Sequence, residues 1–130
     1  MHYAASAYTK TAQVTQSPRE LEASILMKAA TRFQAIRDDW TGRHKELDEA
    51  LTYNRKLWTV LVSSVTRPEN PLPAPIKQNI ANLGLFIFNH TLRLTAEPNP
   101  ERLGILVTIN RELAAGLRGM GVPEQGQTAA

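Results

Sequence analysis

Leu47-Asp48-Glu49-Ala50-Leu51-Thr52-Tyr53-Asn54-Arg55-Lys56-Leu57-Trp58-Thr59-Val60-Leu61 is the stretch that decides the fold class of this chain. Leu47, Ala50, Leu51, Leu57, Trp58 and Leu61 recur in steps of three and four, which gathers them on one stripe of an α-helix but would scatter them over both faces of a strand. Asn54 lies on that stripe, where an aliphatic side chain is the default. A second run, Leu103, Leu106, Val107, Asn110, Leu113, Ala114 and Leu117, has the same period and again includes an asparagine. A buried amide costs free energy unless it finds partners. The two asparagines therefore point one of two ways. They form a core hydrogen-bond network that sets helix register, as buried asparagine does in coiled coils. Or the Asn54-Arg55 and Asn110-Arg111 steps lie on a binding surface, with the arginines placed for bidentate bonds to a carboxylate and Trp58 as an anchor.

Outward from these runs the period stays helical and strand signals are scarce, so the expected fold is all-α, a compact bundle of about four helices with a short N-terminal helical segment. Ser17, Pro18 and Glu20 spell a cap, a first-turn proline and a capping box, a signal worth about 1 kcal/mol. The helix they open carries Leu21, Ile25, Ala29, Phe33, Ile36 and Trp40 as its stripe and is expected to stop at Thr41-Gly42. A second helix spans about 45 to 65 and ends ahead of Arg67-Pro68. Pro68, Pro71, Pro73 and Pro75 then fix φ and remove backbone donors, making a stiff connector. A third helix follows over about 76 to 95, broken by Glu97-Pro98, and Asn99-Pro100-Glu101 opens a fourth that ends near Gly119. This gives an N-terminal segment 1–16, a helical domain 17–119 and a flexible tail 120–130. Tyr3, Ala4, Ala7, Tyr8 and Ala12 have helical spacing, but the segment is too short and weakly apolar to stand alone; it needs the bundle or a partner.

The third helix carries more hydrophobicity than one buried face needs. Ile76, Ile80, Leu83, Ile87 and Leu94 form one stripe, Ala81, Leu85, Phe88 and Leu92 form another, and Phe86 points in a third direction. The first expectation is a central helix surrounded by the others. The alternative is an exposed apolar groove for an amphipathic helix of another chain.

Composition narrows the function classes. With 130 residues the chain suits one domain, and no apolar run approaches the roughly 20 residues needed to span a membrane. Residues 1–16 lack the apolar core of a secretory signal, so a cytoplasmic location with no membrane partner is expected. The absence of cysteine excludes disulfides and thiolate metal sites. A net charge of +3 would suit nucleic acid, but Arg37, Arg43, Lys45, Arg55 and Lys56 alternate with Asp38, Asp39, Glu46, Asp48 and Glu49, which reads as a solvated mixed-charge surface. His2, His44 and His90 lack zinc-motif spacing; His44 and Asp48, one turn apart, read as a surface pair, and His90 as a hydrogen-bonded helix residue. Neighbouring carboxylates in Asp38-Asp39 and Asp48-Glu49 point about 100° apart on a helix and do not share a site. Lys28 and Arg32 read as surface charges, and the seven glycines form no phosphate-binding loop. No catalytic, metal or cofactor-binding residues are expected, and the chain reads as a binding protein and not an enzyme.

Four stretches together resemble a known family. They are 47–58, ending Asn54-Arg55-Lys56-Leu57-Trp58; Asn70-Pro71-Leu72-Pro73; Asn79-Ile80-Ala81-Asn82-Leu83-Gly84; and Ile109-Asn110-Arg111-Glu112-Leu113 onward to Leu117. With the Ala/Tyr region Ala5 to Tyr8, their order and spacing resemble the flagellar biosynthesis regulator FlaF of flagellated alphaproteobacteria, over about 5 to 119. The resemblance implies a small cytoplasmic protein that promotes flagellin synthesis and secretion, binding flagellin as a chaperone-like adaptor in concert with the translational regulator FlbT. The expected contacts are Asn54, Arg55, Trp58, Leu85, Phe86, Phe88, Asn110 and Arg111. An RNA-binding regulator of flagellin message is the competing function, and a homo-oligomer formed through the apolar surplus is a further structural reading.

Overall fold

The computed structural model describes residues 17–120. The N-terminal segment expected at 1–16 and the tail expected after 120 lie outside the described residues. Four principal helices, α1 (Pro18–Asp38), α2 (Leu47–Val65), α3 (Ala74–Ala96) and α4 (Leu103–Met120), account for most of the chain, and no strand occurs among the described residues. The fold is all-α.

Local chemistry explains each boundary. Ser17 caps α1 by accepting from the Glu20 N–H at 3.1 Å. The Glu20 carboxylate, expected to complete a capping box, binds instead to Arg118 Nε on α4 at 2.9 Å. Asp39 interrupts the first helix two residues before the expected stop, and its carboxylate accepts from the Gly42 N–H to start a single turn, Trp40–Arg43. A Cβ at Gly42 would come within 2.7 Å of that carboxylate and push the capping side chain aside. A 3-10 turn over His44–Glu46 leads into α2, clamped by two bonds from Arg43 Nε and Nη2 to the Glu46 carboxylate. In the proline-rich connector Asn70 Oδ1 accepts from Leu72 N–H and Asn70 Nδ2 donates to Ser64 Oγ, tying the turn to the end of α2. Asn99 caps the 3-10 turn Pro100–Arg102 that precedes α4.

The helices alternate in direction around the bundle. Glu20 and Arg118 join the start of α1 to the end of α4, and Arg32 reaches Glu49 at 2.6 Å from the end of α1 to the start of α2. The connector folds α3 back along α2, and His90 Nε2 donates to the Arg102 carbonyl at 2.8 Å, bringing the end of α3 to the start of α4. Helices α1 and α4 pack most closely, with α2 against α3 as the second tight pair; α3 and α4 do not pack closely along their length. Small residues allow the first approach: Ala23, Ala30 and Ala114 are fully buried. The buried face of α1 consequently centres on Ala23, Leu26, Ala30 and Phe33, whereas Leu21 is exposed and Ile25 only half-buried. The core includes Trp58, Phe33, Leu26, Ile36, Ile80, Ile87, Leu103 and Leu106, each contributing on the order of 1.5–3 kcal/mol by burial.

Helix α3 is not a surrounded central helix. Ile80, Gly84, Ile87, Thr91 and Leu94 face inward, while Leu85 and Leu92 are 64% and 69% exposed on the outer side. The contact with α2 depends on Gly84, where a Cβ would collide with the Cγ2 methyl of Val62, a β-branched side chain with little χ1 freedom in a helix. A Cβ at Gly116 of α4 would meet nothing within 4 Å. Gly116→Ala should therefore stabilise the protein by roughly 1 kcal/mol through helix propensity, and Gly84→Ala should be less stable than Gly116→Ala by about 1–3 kcal/mol through overpacking. Urea unfolding measures both; equal midpoints would contradict the close α2–α3 contact.

Candidate functional site

Asn54 and Asn110 meet across the diagonal of the bundle. Asn110 Nδ2 donates to Asn54 Oδ1 at 2.8 Å, and Trp58 Nε1 donates to Asn110 Oδ1 at 3.0 Å. All three side chains have zero exposure. An indole N–H can only donate, so Trp58 forces Asn110 to present its oxygen there; Asn110 must then donate to Asn54, which fixes both amide rotations. Asn54 Nδ2 is left buried without a hydrogen-bond partner. The core-network reading of the asparagines is the arrangement observed, and the expectation that Asn54, Trp58 and Asn110 contact a partner is corrected: a ligand on this surface cannot touch them.

The arginines do not share a surface either. Arg55 is seven residues before Val62, two turns along one phase, and Val62 packs on Gly84 of α3. Arg111 is seven residues before Arg118, which bonds to Glu20 of α1. Both arginines are exposed, but on the α3-facing flank of α2 and the α1-facing flank of α4 respectively. The expected apolar contacts divide as well. Phe88 is half-buried against the core, Leu85 lies on the outer side of α3, and Phe86, 43% exposed, is on another phase and stacks on His90 with centroids 5.2 Å apart.

What the structure brings together is a groove between α3 and α4, about 380 Å³ in volume, lined by Ile76, Asn79, Leu83, Ile109, Glu112, Leu113, Gly116 and Leu117. It exists because these two helices do not pack closely along their length. Gly116 removes a side chain from its wall. Beyond its ends, Phe86 follows Leu83 by three residues and lines a separate hollow with Asn89, His90 and Arg93, and Ile105, 41% exposed, precedes Ile109 by four. From Ile109 to Leu117 the lined groove runs roughly 12 Å. Its floor is aliphatic, with Asn79 and Glu112 as its polar groups. Sequence periodicity placed Ile76, Leu83, Leu113 and Leu117 on buried stripes and missed Asn79, Ile109, Glu112 and Gly116; an interior helix glycine with no turn to make was the available signal.

A second groove, about 440 Å³, lies between the start of α1 and the connector, lined by Ser17, Pro18, Arg19, Glu22, Ser64, Asn70, Pro71 and Leu72. Burial there raises the Glu22 pKa above its usual 4.5, against the lowering effect of Arg19. No group of three or more His, Asp or Glu able to hold a metal ion occurs among the described residues, and none of their helices is long and apolar enough to cross a membrane.

A family model described as flagellar protein FlaF matches residues 4–117. The chain belongs to the FlaF family. The match takes in all four helices up to Leu117 and reaches back ahead of α1 into the segment that carries Tyr8. Searches among curated proteins and among solved structures return no match. FlaF membership makes this a flagellar protein.

Two predictions follow from the site's polar groups. Asn110→Ala strips partners from both Trp58 Nε1 and Asn54 Oδ1 and should cost about 2–6 kcal/mol, whereas Asn54→Ala strands one donor while removing the orphaned Nδ2 and should cost less; chemical denaturation of both variants checks the order. Because the raised Glu22 pKa makes its protonated form the favoured one in the fold, that contribution is complete below about pH 4.5 and is lost as pH rises through the raised value. Glu22→Gln should therefore gain in stability over the parent as pH goes from below 4.5 to neutral, read from melting curves across that range.

Proposed function

We propose that this FlaF protein is a non-enzymatic, cytoplasmic chaperone-like adaptor that holds an amphipathic helix of flagellin in the α3–α4 groove and so promotes flagellin synthesis and secretion in concert with FlbT. The observation that carries the reading is the groove itself: an aliphatic trough with polar groups only at Asn79 and Glu112, open to solvent and flanked along the helices by exposed Phe86 and Ile105. Helix-in-groove recognition needs a contiguous apolar surface to receive side chains at three- and four-residue spacing, and a trough about 12 Å long accommodates roughly two turns. On this reading the helix held is one whose apolar face would otherwise associate with others before export.

The adaptor acts by mass action. Free flagellin fills the groove, and export empties it, so occupancy reports the unexported pool; a partner that distinguishes the filled from the empty form, FlbT in this reading, converts that pool into a signal. Apolar capture also sets the salt dependence. Neutralising several phosphates would make affinity fall steeply with ionic strength, whereas burial of an aliphatic face changes little.

Leu83→Asp and Phe86→Asp, both on half-buried or exposed positions, should weaken flagellin binding at least about tenfold, or roughly 1.4 kcal/mol, with helical circular dichroism retained. Trp58 is unsuitable for this test because it is part of the buried network. Calorimetric titration at two salt concentrations reads the affinity; undiminished binding by both variants would remove the groove from the mechanism, and salt-sensitive binding of flagellin message would favour RNA as the ligand.

A further inference from the structure

We propose that the N-terminal segment of this same chain seats in the α3–α4 groove, with the face of Tyr3, Ala4, Ala7 and Tyr8 turned onto its aliphatic floor. The contact is intramolecular and holds or fails whichever protein the groove receives from outside.

Four observations carry it. The family match spans residues 4–117, so it takes in most of this segment together with the helices. Its attachment point is at the correct end. The Glu20–Arg118 bond sets the first turn of α1 beside the last turn of α4, the end at which the groove opens between Ile76, Gly116 and Leu117. The lengths agree: residues 13–16, extended, cover about 13 Å, enough to cross the end of the bundle, and residues 3–8 as a helix cover about 9 Å, within the roughly 12 Å from Ile109 to Leu117.

The chemistry agrees too. Tyr3, Ala4, Ala7 and Tyr8 combine small residues, which let a helix approach closely, with two aromatic rings whose hydroxyls need polar partners when covered. The floor is aliphatic, Gly116 leaves it open, and Asn79 and Glu112 supply the polar groups. Lys10 is the segment's one side chain charged at neutral pH with histidine neutral, and Glu112 is the one acid lining the groove, so the charges are complementary. A segment too short to be helical alone becomes so on an apolar surface, because packing and not propensity stabilises short helices. Such a segment is a built-in competitor: on the reading of the groove as a flagellin site, an incoming helix must displace it, and affinity falls by the fraction of molecules in which the groove is already filled.

The absence of native cysteine makes the test clean. In the full chain, Thr108→Cys, an exposed position one turn from Glu112, carries a nitroxide label, and Leu92→Cys, on the outer side of α3, carries it in a control. The label at 108 should broaden the amide signals of residues 3–12 strongly, and the label at 92 should affect them far less. Gly116→Trp, which fills the groove at a position where a Cβ touches nothing, should abolish the broadening while leaving the helical spectrum intact. Equal or absent broadening from the two labels, or broadening that survives Gly116→Trp, overturns the proposal. Broadening that arises only between labelled and isotope-enriched molecules in a mixture overturns it in favour of a second copy, and stronger broadening from a label at Ser64→Cys places the segment in the groove beside Ser17 and overturns it likewise.

Discussion

The donor-only indole of Trp58 is the constraint on which the interior of this bundle depends. It dictates the rotation of the Asn110 amide, which dictates that of Asn54, and the chain of two hydrogen bonds spans the diagonal from α2 to α4. The two tight pairs, α1 with α4 and α2 with α3, each have one member in this chain, so the bonds fix the offset of one pair against the other. An all-aliphatic core would have buried as much area while leaving that offset less specified.

Fixing α4 on α2 has a consequence on the opposite side. Asn110 and Leu103, Leu106, Ala114 and Leu117 face the core, which leaves Ile109 and Glu112 on the flank toward α3, and α3 is committed to α2 through Gly84 and Val62. With both neighbours held elsewhere, α3 and α4 cannot close on each other. The groove is what remains, bridged near one end by His90 and the Arg102 carbonyl. It is preformed by packing of the core, and a ligand entering it meets rigid helix faces, which lowers the ordering cost of binding.

The periods of α2 and α4, the caps at Ser17 and Asn99 and the proline connector were legible in the sequence because each depends on near neighbours along the chain. So was the pairing of two asparagines on apolar stripes, though not which of its two meanings applied, since period places a residue on a helix face without saying what covers that face. The same limit explains α3, whose apolar directions suggested a surrounded helix while Leu85 and Leu92 in fact face outward. In α1 hydrophobicity favoured Leu21 and Ile25, but close approach to α4 favours Ala23 and Ala30, and side-chain size at a helix crossing cannot be ranked by apolarity. The groove was least legible of all. It is a gap between two helices, and Gly116 marks it by lacking atoms.

Hydrogen exchange on the protein with and without flagellin tests the central claim most directly. Flagellin should bring protection centred on 76–83 of α3 and 109–117 of α4, with the outer side of α3 around Leu92 unchanged. Protection centred on Arg55, Leu85 and Leu92 with the groove still exchanging freely, or no protection at saturating flagellin, would contradict it.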